Sequence, residues 1–203
     1  MLDYLQSGSL LLALLNPFLV IVYLIDVLEK LERKLFQKVL LRAGVIAGIV
    51  FCCFSILGDA IFSNVIHAEF ASFQIFGGIV FLLIGIQFVL QGPSAIGLLR
   101  GESKHIAGAI AMPILIGPGS ISASIIIGEK HETWIACSIV ICAVAISITI
   151  MIILKAVYDF IHPKKENLVQ RYIEIAGRIQ ALYIGTISIE MIMSGLRNWL
   201  GKF

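Results

Sequence analysis

Two interrupted apolar segments, and a few polar side chains near them, are where this chain could bind a solute. The stretch Ala111-Met112-Pro113-Ile114-Leu115-Ile116-Gly117-Pro118-Gly119-Ser120 sets prolines and glycines in the middle of an otherwise apolar run. Proline removes a backbone donor and clashes with the preceding turn, and glycine accepts dihedrals that other residues avoid. Gly117-Pro118-Gly119 is therefore expected to open or sharply kink a helix. A half-helix beginning near Gly119 and Ser120 would offer unpaired N–H groups and the positive end of its dipole to a carboxylate. Carbonyls freed before Gly117, together with Asn16, would accept hydrogen bonds from an ammonium. Asn16-Pro17, near the centre of the first apolar run, is the second break, where Asn is a favoured N-cap and Pro a favoured first helical residue. Each break has a plainer reading, a kink packed against neighbouring helices.

Other polar groups narrow the chemistry. Ser120, Ser122 and Ser124 alternate, so their hydroxyls cannot all share one helical face, and Ser120 and Ser122 are the substrate-binding candidates. Glu190 and Asp59 are the ionisable residues within apolar segments, and both are candidates for proton or sodium coupling; hydration at the outer headgroups is the alternative for each. No Asp or Glu lies at either break, which favours a neutral substrate over a cationic one. Cys52, Cys53, Cys137 and Cys142 show neither zinc-site spacing nor a Cys-x-x-Cys pair, and read as small buried hydrophobes. A transmembrane thiol-disulfide relay would want cysteines beside the breaks, and these are not. His67, His105, His131 and His162 fall in loops or at helix ends. No metal, cofactor, nucleic acid or enzymatic reaction is expected.

The elements that must position these groups follow from composition. The chain is 59% hydrophobic and 14% charged, with a mean hydropathy of +1.00, outside the range of ordinary globular domains. Runs free of charged residues extend from Tyr4 to Ile25, Ala43 to Gly58, Phe70 to Leu99, His105 to Gly128, Thr133 to Leu154 and Ile179 to Ile189. A spanning helix needs about 20 residues; the second and sixth runs reach that only by including Asp59 and Glu190. Six membrane helices in an all-α fold are predicted, the second from about Val39 to Phe62. Twelve Lys and Arg residues fall in the first, third and fifth loops and three elsewhere, so those loops are expected to be cytoplasmic and both termini outside. Tyr4, Trp134 and Trp199 then lie at the outer boundary, and Tyr158 and Tyr172 at the inner one. The start Met1-Leu2-Asp3 lacks the basic n-region of a cleaved signal peptide. Gly44 and Gly48 stand at the small-xxx-small spacing that lets helices approach closely. Gly128, at the outer end of helix 4, is expected to tolerate a side chain.

Internal similarity sets the arrangement. Gln74-Ile75-Phe76-Gly77-Gly78 and Gly85-Ile86-Gln87 resemble Arg178-Ile179-Gln180-Ala181 and Ser188-Ile189-Glu190 at an offset of 103 to 104 residues, and Asn16-Pro17 resembles Gly117-Pro118 at 101. The chain therefore reads as a single transmembrane domain made of two repeats, about 1–97 and 98–203, each opening with a broken helix. Three helices per repeat is an odd number, so the second repeat enters the membrane inverted. Secondary transporters are commonly built this way, with sites near the midplane between discontinuous helices.

Taken together, Asn16-Pro17, Ile75-Phe76-Gly77-Gly78, Ala111-Met112-Pro113 with Gly117-Pro118-Gly119, and Arg178-Ile179 with Gly195 resemble the MarC-type integral membrane proteins, also called the small neutral amino acid transporter family. The resemblance covers nearly the whole chain, and the helix 4 motif is its most specific part. It implies a protein of the bacterial or archaeal cytoplasmic (inner) membrane and, for some members, transport of glycine or alanine. The chain departs from the family pattern in three places. Phe18-Leu19-Val20 replaces a usual glycine and second proline, Gln74 stands where Arg is common, and Glu190 where Gln is often found. The expected mechanism is alternating access, with a zwitterion held between broken helices 1 and 4 through Asn16, Pro17, Gly117, Pro118, Gly119, Ser120 and Ser122. A non-transporting assembly or channel protein is the alternative class.

Overall fold

The computed structural model describes residues 2–17, 32–58, 60–91, 115–161 and 166–201. Among them the chain is helical throughout: α1 (Leu2–Leu15), α2 (Arg33–Leu57), a π-helical segment (Ile61–Ile66), α3 (Phe70–Gln91), α4 (Pro118–Lys130), α5 (Thr133–Ile161) and α6 (Glu166–Leu200). Of these, α2, α3 and α5 are long and apolar enough to cross a membrane. The second helix is shorter at its end than predicted. It stops at Leu57, where Gly58 turns the backbone to φ 54°, a region open to glycine. The π-helical segment then leads to His67, also left-handed. Asp59 lies outside the described residues.

The helices are apolar on more than one face. In α2, Phe36, Leu40, Ala43, Ala47 and Phe51 recur at helical spacing and are fully buried, while Leu41, Val45, Ile49 and Ile56 on other faces are exposed. In α5, Ala136, Val140, Ala143 and Met151 point inward and Ile141, Ile146, Ile153 and Val157 outward. A helix apolar all round is what a lipid solvent requires.

Packing divides the bundle into two units. Leu11 and Leu15 of α1, the inner faces of α2 and α5, and Ile125 and Ile127 of α4 form one core. Outside it, α3 and α6 pack against each other more extensively than any other pair. They run antiparallel: Gly78 faces Ser188 and Ile192, Gly85 faces Ala181 and Gly185, and Gly195 faces Ala71 and Ile75. A methyl group at Gly78 would lie 2.7 Å from Ile192 Cγ1 and 2.8 Å from the Ser188 carbonyl oxygen. Small residues thus bring two backbones into contact, as between membrane helices generally. Asn198 closes one end of this pair by donating to Gln74 Oε1 at 3.1 Å.

The other helices pair antiparallel as well. Gly44 of α2 receives Ile148 and Val144 of α5, and farther along α2 Cys52 neighbours Cys137. In α1 and α4, Ser7 meets His131 just past the end of α4, and Leu14 meets Gly119 at its start. Two sequence expectations change here. Among the described residues Gly48 has no neighbour within 4 Å of a Cβ, and Gly44 alone of that glycine pair serves a close contact there. Gly128 is not a tolerant position, because a Cβ there would overlap the Ser55 backbone of α2.

The two units meet along α3. Phe70 and Phe73 pack on Phe62 with ring centroids 5.2 and 5.0 Å away. Farther along α3, Gly77 leaves the space filled by the Pro118 ring, and Phe81 lies over Gly117.

Candidate functional site

The α4 break is built by its own residues. Gly117 is extended (φ −102°, ψ 165°) and Pro118 is the first helical residue, the position at which a missing N–H and a fixed φ cost least. The serine three residues on folds back: the Gly117 N–H donates to Ser120 Oγ at 3.0 Å, and that hydroxyl lies 2.9 and 3.0 Å from the carbonyls of Gly117 and Leu115. This is one arm of a capping box with Ser in place of Glu. The first backbone bond of the helix runs from Ile121 N–H to the Gly117 carbonyl at 3.0 Å.

Of the first-turn amides, Pro118 has none and that of Gly117 is satisfied by Ser120. The N–H groups of Gly119 and Ser120 find no acceptor among the described residues. Both residues are buried, so these donors sit in a niche closed by protein atoms, where an unmet donor is costly and an acceptor is correspondingly welcome. Ser122 Oγ donates to the Pro118 carbonyl at 2.8 Å and Ser124 Oγ to that of Ser120 at 2.7 Å, so these hydroxyl protons are committed inside the helix.

The niche is enclosed by three other helices. A methyl group on Gly119 would stand 3.5 Å from Leu14 Cδ2 of α1, 3.5 Å from Met191 Sδ of α6 and 3.7 Å from Phe81 Cε2 of α3. One on Gly117 would fall 2.5 Å from Phe81 Cζ. Leu14, Phe81 and Met191 are not polar and gave no chemical signal in the sequence; only the fold brings them to the break.

The α1 break lies two residues from this contact. Asn16 is left-handed (φ 35°) and half-buried, and its N–H still bonds the Leu12 carbonyl at 3.0 Å. Asparagine is among the few residues that tolerate this conformation, and the proline after it disfavours a helical continuation. Asn16 therefore ends α1, and the half-helix it was expected to cap lies outside the described residues. Pro17 has no N–H for the Ala13 carbonyl four residues back. The Tyr183 hydroxyl of α6 supplies that donor at 3.2 Å. Sequence reasoning missed Tyr183, although a proline in an apolar helix does imply a donor from elsewhere.

Thus α1 meets the α4 break through Leu14, two and three residues before Asn16 and Pro17, and Ser122 lies beyond that contact along α4. No acidic side chain lines the niche among the described residues. Glu190 is exposed on α6, about 100° of helix turn from Met191, which is the residue that faces the break. A second feature lies nearer the start of α1. A cavity of about 640 Å³ opens between the beginning of α1 and the end of α4, lined in part by Asp3, Tyr4, Ser7, Leu10, Lys130 and His131.

Comparison with known proteins places the whole chain. Residues 1–200 match the family model described as MarC family integral membrane protein. A UPF0056 membrane protein of Pyrococcus horikoshii is 26% identical over 195 residues, covering 95% of this chain and 93% of its own. The UPF0056 inner membrane protein YhgN of Escherichia coli is 23% identical over 201 residues, covering 98% of each chain. A third relative, from Methanocaldococcus jannaschii, is 27% identical over 216 residues, covering 97% of each. No solved structure matches.

Proposed function

Because the chain belongs to the MarC family of integral membrane proteins, we propose that it is a secondary transporter of small neutral amino acids, working by alternating access with its substrate at the α1 and α4 breaks. The observation that carries this reading is the pair of acceptor-free amides at Gly119 and Ser120, buried where α1, α3 and α6 converge. Two N–H groups at a helix start suit one carboxylate. A niche without an acidic side chain suits a substrate that carries its own compensating charge. Leu14, Phe81 and Met191 close tightly over Gly119, so a carboxylate reaches these amides when those side chains move apart, and a small substrate needs the least movement.

The packing supports an inverted repeat. The helices equivalent under the sequence offset are α1 with α4, α2 with α5 and α3 with α6, and each pair packs antiparallel. For the first pair the contact runs from Ser7 and His131 to Leu14 and Gly119 at the α4 break; for the second it includes Gly44 near the centre of α2. A two-fold axis in the membrane plane produces such pairing. The six helices then form one domain with repeats at about 1–97 and 98–203, in the cytoplasmic membrane with both termini outside, as the distribution of Lys and Arg suggests. Cysteine labelling that placed either terminus in the cytoplasm would overturn that orientation.

The mechanism uses the two packing units. The α3/α6 pair touches the four-helix core at Phe81, Met191 and Tyr183, the contacts that close the niche. Rocking this pair against the core would open the niche to one side and then the other. Glu190, next to Met191, is where proton or sodium coupling is assigned in this reading. The test is uptake and counterflow of a panel of neutral amino acids by purified protein in vesicles. Glycine and alanine should exchange across the membrane, and vesicles no more permeable than protein-free ones would refute the proposal.

A further inference from the structure

The cavity between the beginning of α1 and the end of α4 is lined by opposite charges, Asp3 from the first turn of α1 and Lys130 from the last turn of α4. Among the described residues neither forms an ion pair, with the other or with any third group. Two opposite charges therefore border one open space of about 640 Å³ without cancelling each other. His131 is fixed beside them: its Nε2 lies 2.9 Å from Oγ of the buried Ser7, and its ring centroid is 5.1 Å from that of Tyr4. That contact leaves Nδ1 as the ring's remaining polar atom. Leu10, the cavity-lining residue of α1 nearest the break in sequence, is one helical turn, about 6 Å, from Leu14 at the niche.

The geometry points to a second, outer recognition site for a zwitterion whose primary ammonium lies within a few bonds of an anion. Asp3 takes the ammonium, and Lys130 with His131 takes the anion. This rests on the substrate class proposed above and adds a loading station in line with the inner niche. A cavity this size holds a small amino acid together with its water, so binding here is wet, weak and salt-sensitive. A free amino acid and an ethanolamine phospholipid headgroup share this chemistry, and the experiment separates them.

The probe is a cysteine at the cavity wall, Gln6→Cys, in a chain whose four native cysteines are changed to Ser or Ala. The readout is the rate of maleimide labelling. Alanine should slow labelling, whereas propionate, without the ammonium, and ethylamine, without the carboxylate, should not. Asp3→Asn and Lys130→Gln should each raise the alanine concentration for half-protection about threefold to tenfold, because both groups stay partly hydrated. Calorimetry of alanine binding to the same two variants with native cysteines repeats the test without the labelling background. Equal protection by propionate or ethylamine, or no effect of Asp3→Asn and Lys130→Gln, overturns the site. Protection in nanodiscs containing phosphatidylethanolamine, absent with phosphatidylglycerol and absent with alanine, assigns the cavity to a headgroup and overturns the solute reading. Vesicle uptake on the same preparations keeps the two proposals apart. Uptake without protection removes the outer site alone, and protection without uptake removes the transport reading alone.

Discussion

Replacing Gly78 by alanine tests the contact that defines the α3/α6 unit. The added methyl would sit 2.7 Å from Ile192 Cγ1, 2.8 Å from the Ser188 carbonyl oxygen and 3.1 Å from the Ile192 amide nitrogen. Ordinary contact distances between nonbonded atoms are about 3.5–4.0 Å, so α6 must retreat by roughly 0.5–1 Å. Two of the three neighbours are backbone atoms, which leaves no side-chain rotation to absorb the overlap. Overpacking of this kind costs about 1–3 kcal/mol, and the gain in helix propensity from Gly to Ala returns about 0.8–1 kcal/mol. The net loss of about 0–2 kcal/mol lowers the ratio of folded to unfolded protein by up to about thirtyfold, and the difference from a glycine-to-alanine change that meets no neighbour is the full amount, about 1–3 kcal/mol. Gly185→Ala, on α6, is the control: among the described residues a Cβ there meets nothing within 4 Å, so only the propensity gain remains. Reversible unfolding in detergent, read by circular dichroism, measures both. A Gly78→Ala protein as stable as Gly185→Ala would mean that the two backbones are not in contact.

The same logic distinguishes other positions. Gly128→Ala should destabilise by about 1–3 kcal/mol, since it drives a methyl into the Ser55 backbone, whereas Gly48→Ala should be neutral or stabilising by up to about 1 kcal/mol in the same unfolding assay. Ser120→Ala strands the buried Gly117 N–H at a cost of about 1–3 kcal/mol, while Ser122→Ala should cost under about 1 kcal/mol because the Pro118 carbonyl keeps its backbone partner. Comparable losses in the two serine variants would contradict the capping assignment.

How far the sequence reached can be judged residue by residue. The helical character and the interruptions at Asn16-Pro17 and Gly117-Pro118 were legible, because proline and glycine act locally and leave the backbone few choices. What those breaks touch was not legible. Phe81, Met191 and Leu14 are ordinary apolar residues, and their meeting at Gly119 depends on how distant helices cross. Gly44 and Gly48 carry one motif, yet only Gly44 receives a neighbour, since small-xxx-small spacing does not say which glycine a partner approaches. Gly128 was misjudged for the same reason: the partner that makes it indispensable is a carbonyl 73 positions earlier in the chain, at Ser55. Cys52 and Cys137 do not correspond under the sequence repeat, but the antiparallel pairing of α2 and α5 sets them side by side. The cavity at Asp3 and Lys130 was invisible because opposite charges 127 positions apart form no recognisable motif.

If the amides of Gly119 and Ser120 receive a substrate carboxylate, substitutions at Gly119 must change transport. A methyl there meets its neighbours at 3.5–3.7 Å, an ordinary contact, so Gly119→Ala should fold and insert normally while narrowing the niche. Gly119→Val adds two further methyl groups where a single one already meets Leu14, Met191 and Phe81, and so obstructs approach to these amides. Losing one or two charge-assisted hydrogen bonds at about 1.5–3 kcal/mol each corresponds to about a tenfold to ten-thousandfold weakening. The measurement is alanine counterflow in vesicles containing equal amounts of wild-type, Gly119→Ala and Gly119→Val protein. Wild type should exchange alanine, Gly119→Ala should exchange it more slowly and a folded, inserted Gly119→Val not at all; exchange at the wild-type rate in Gly119→Val would make the break a kink and nothing more.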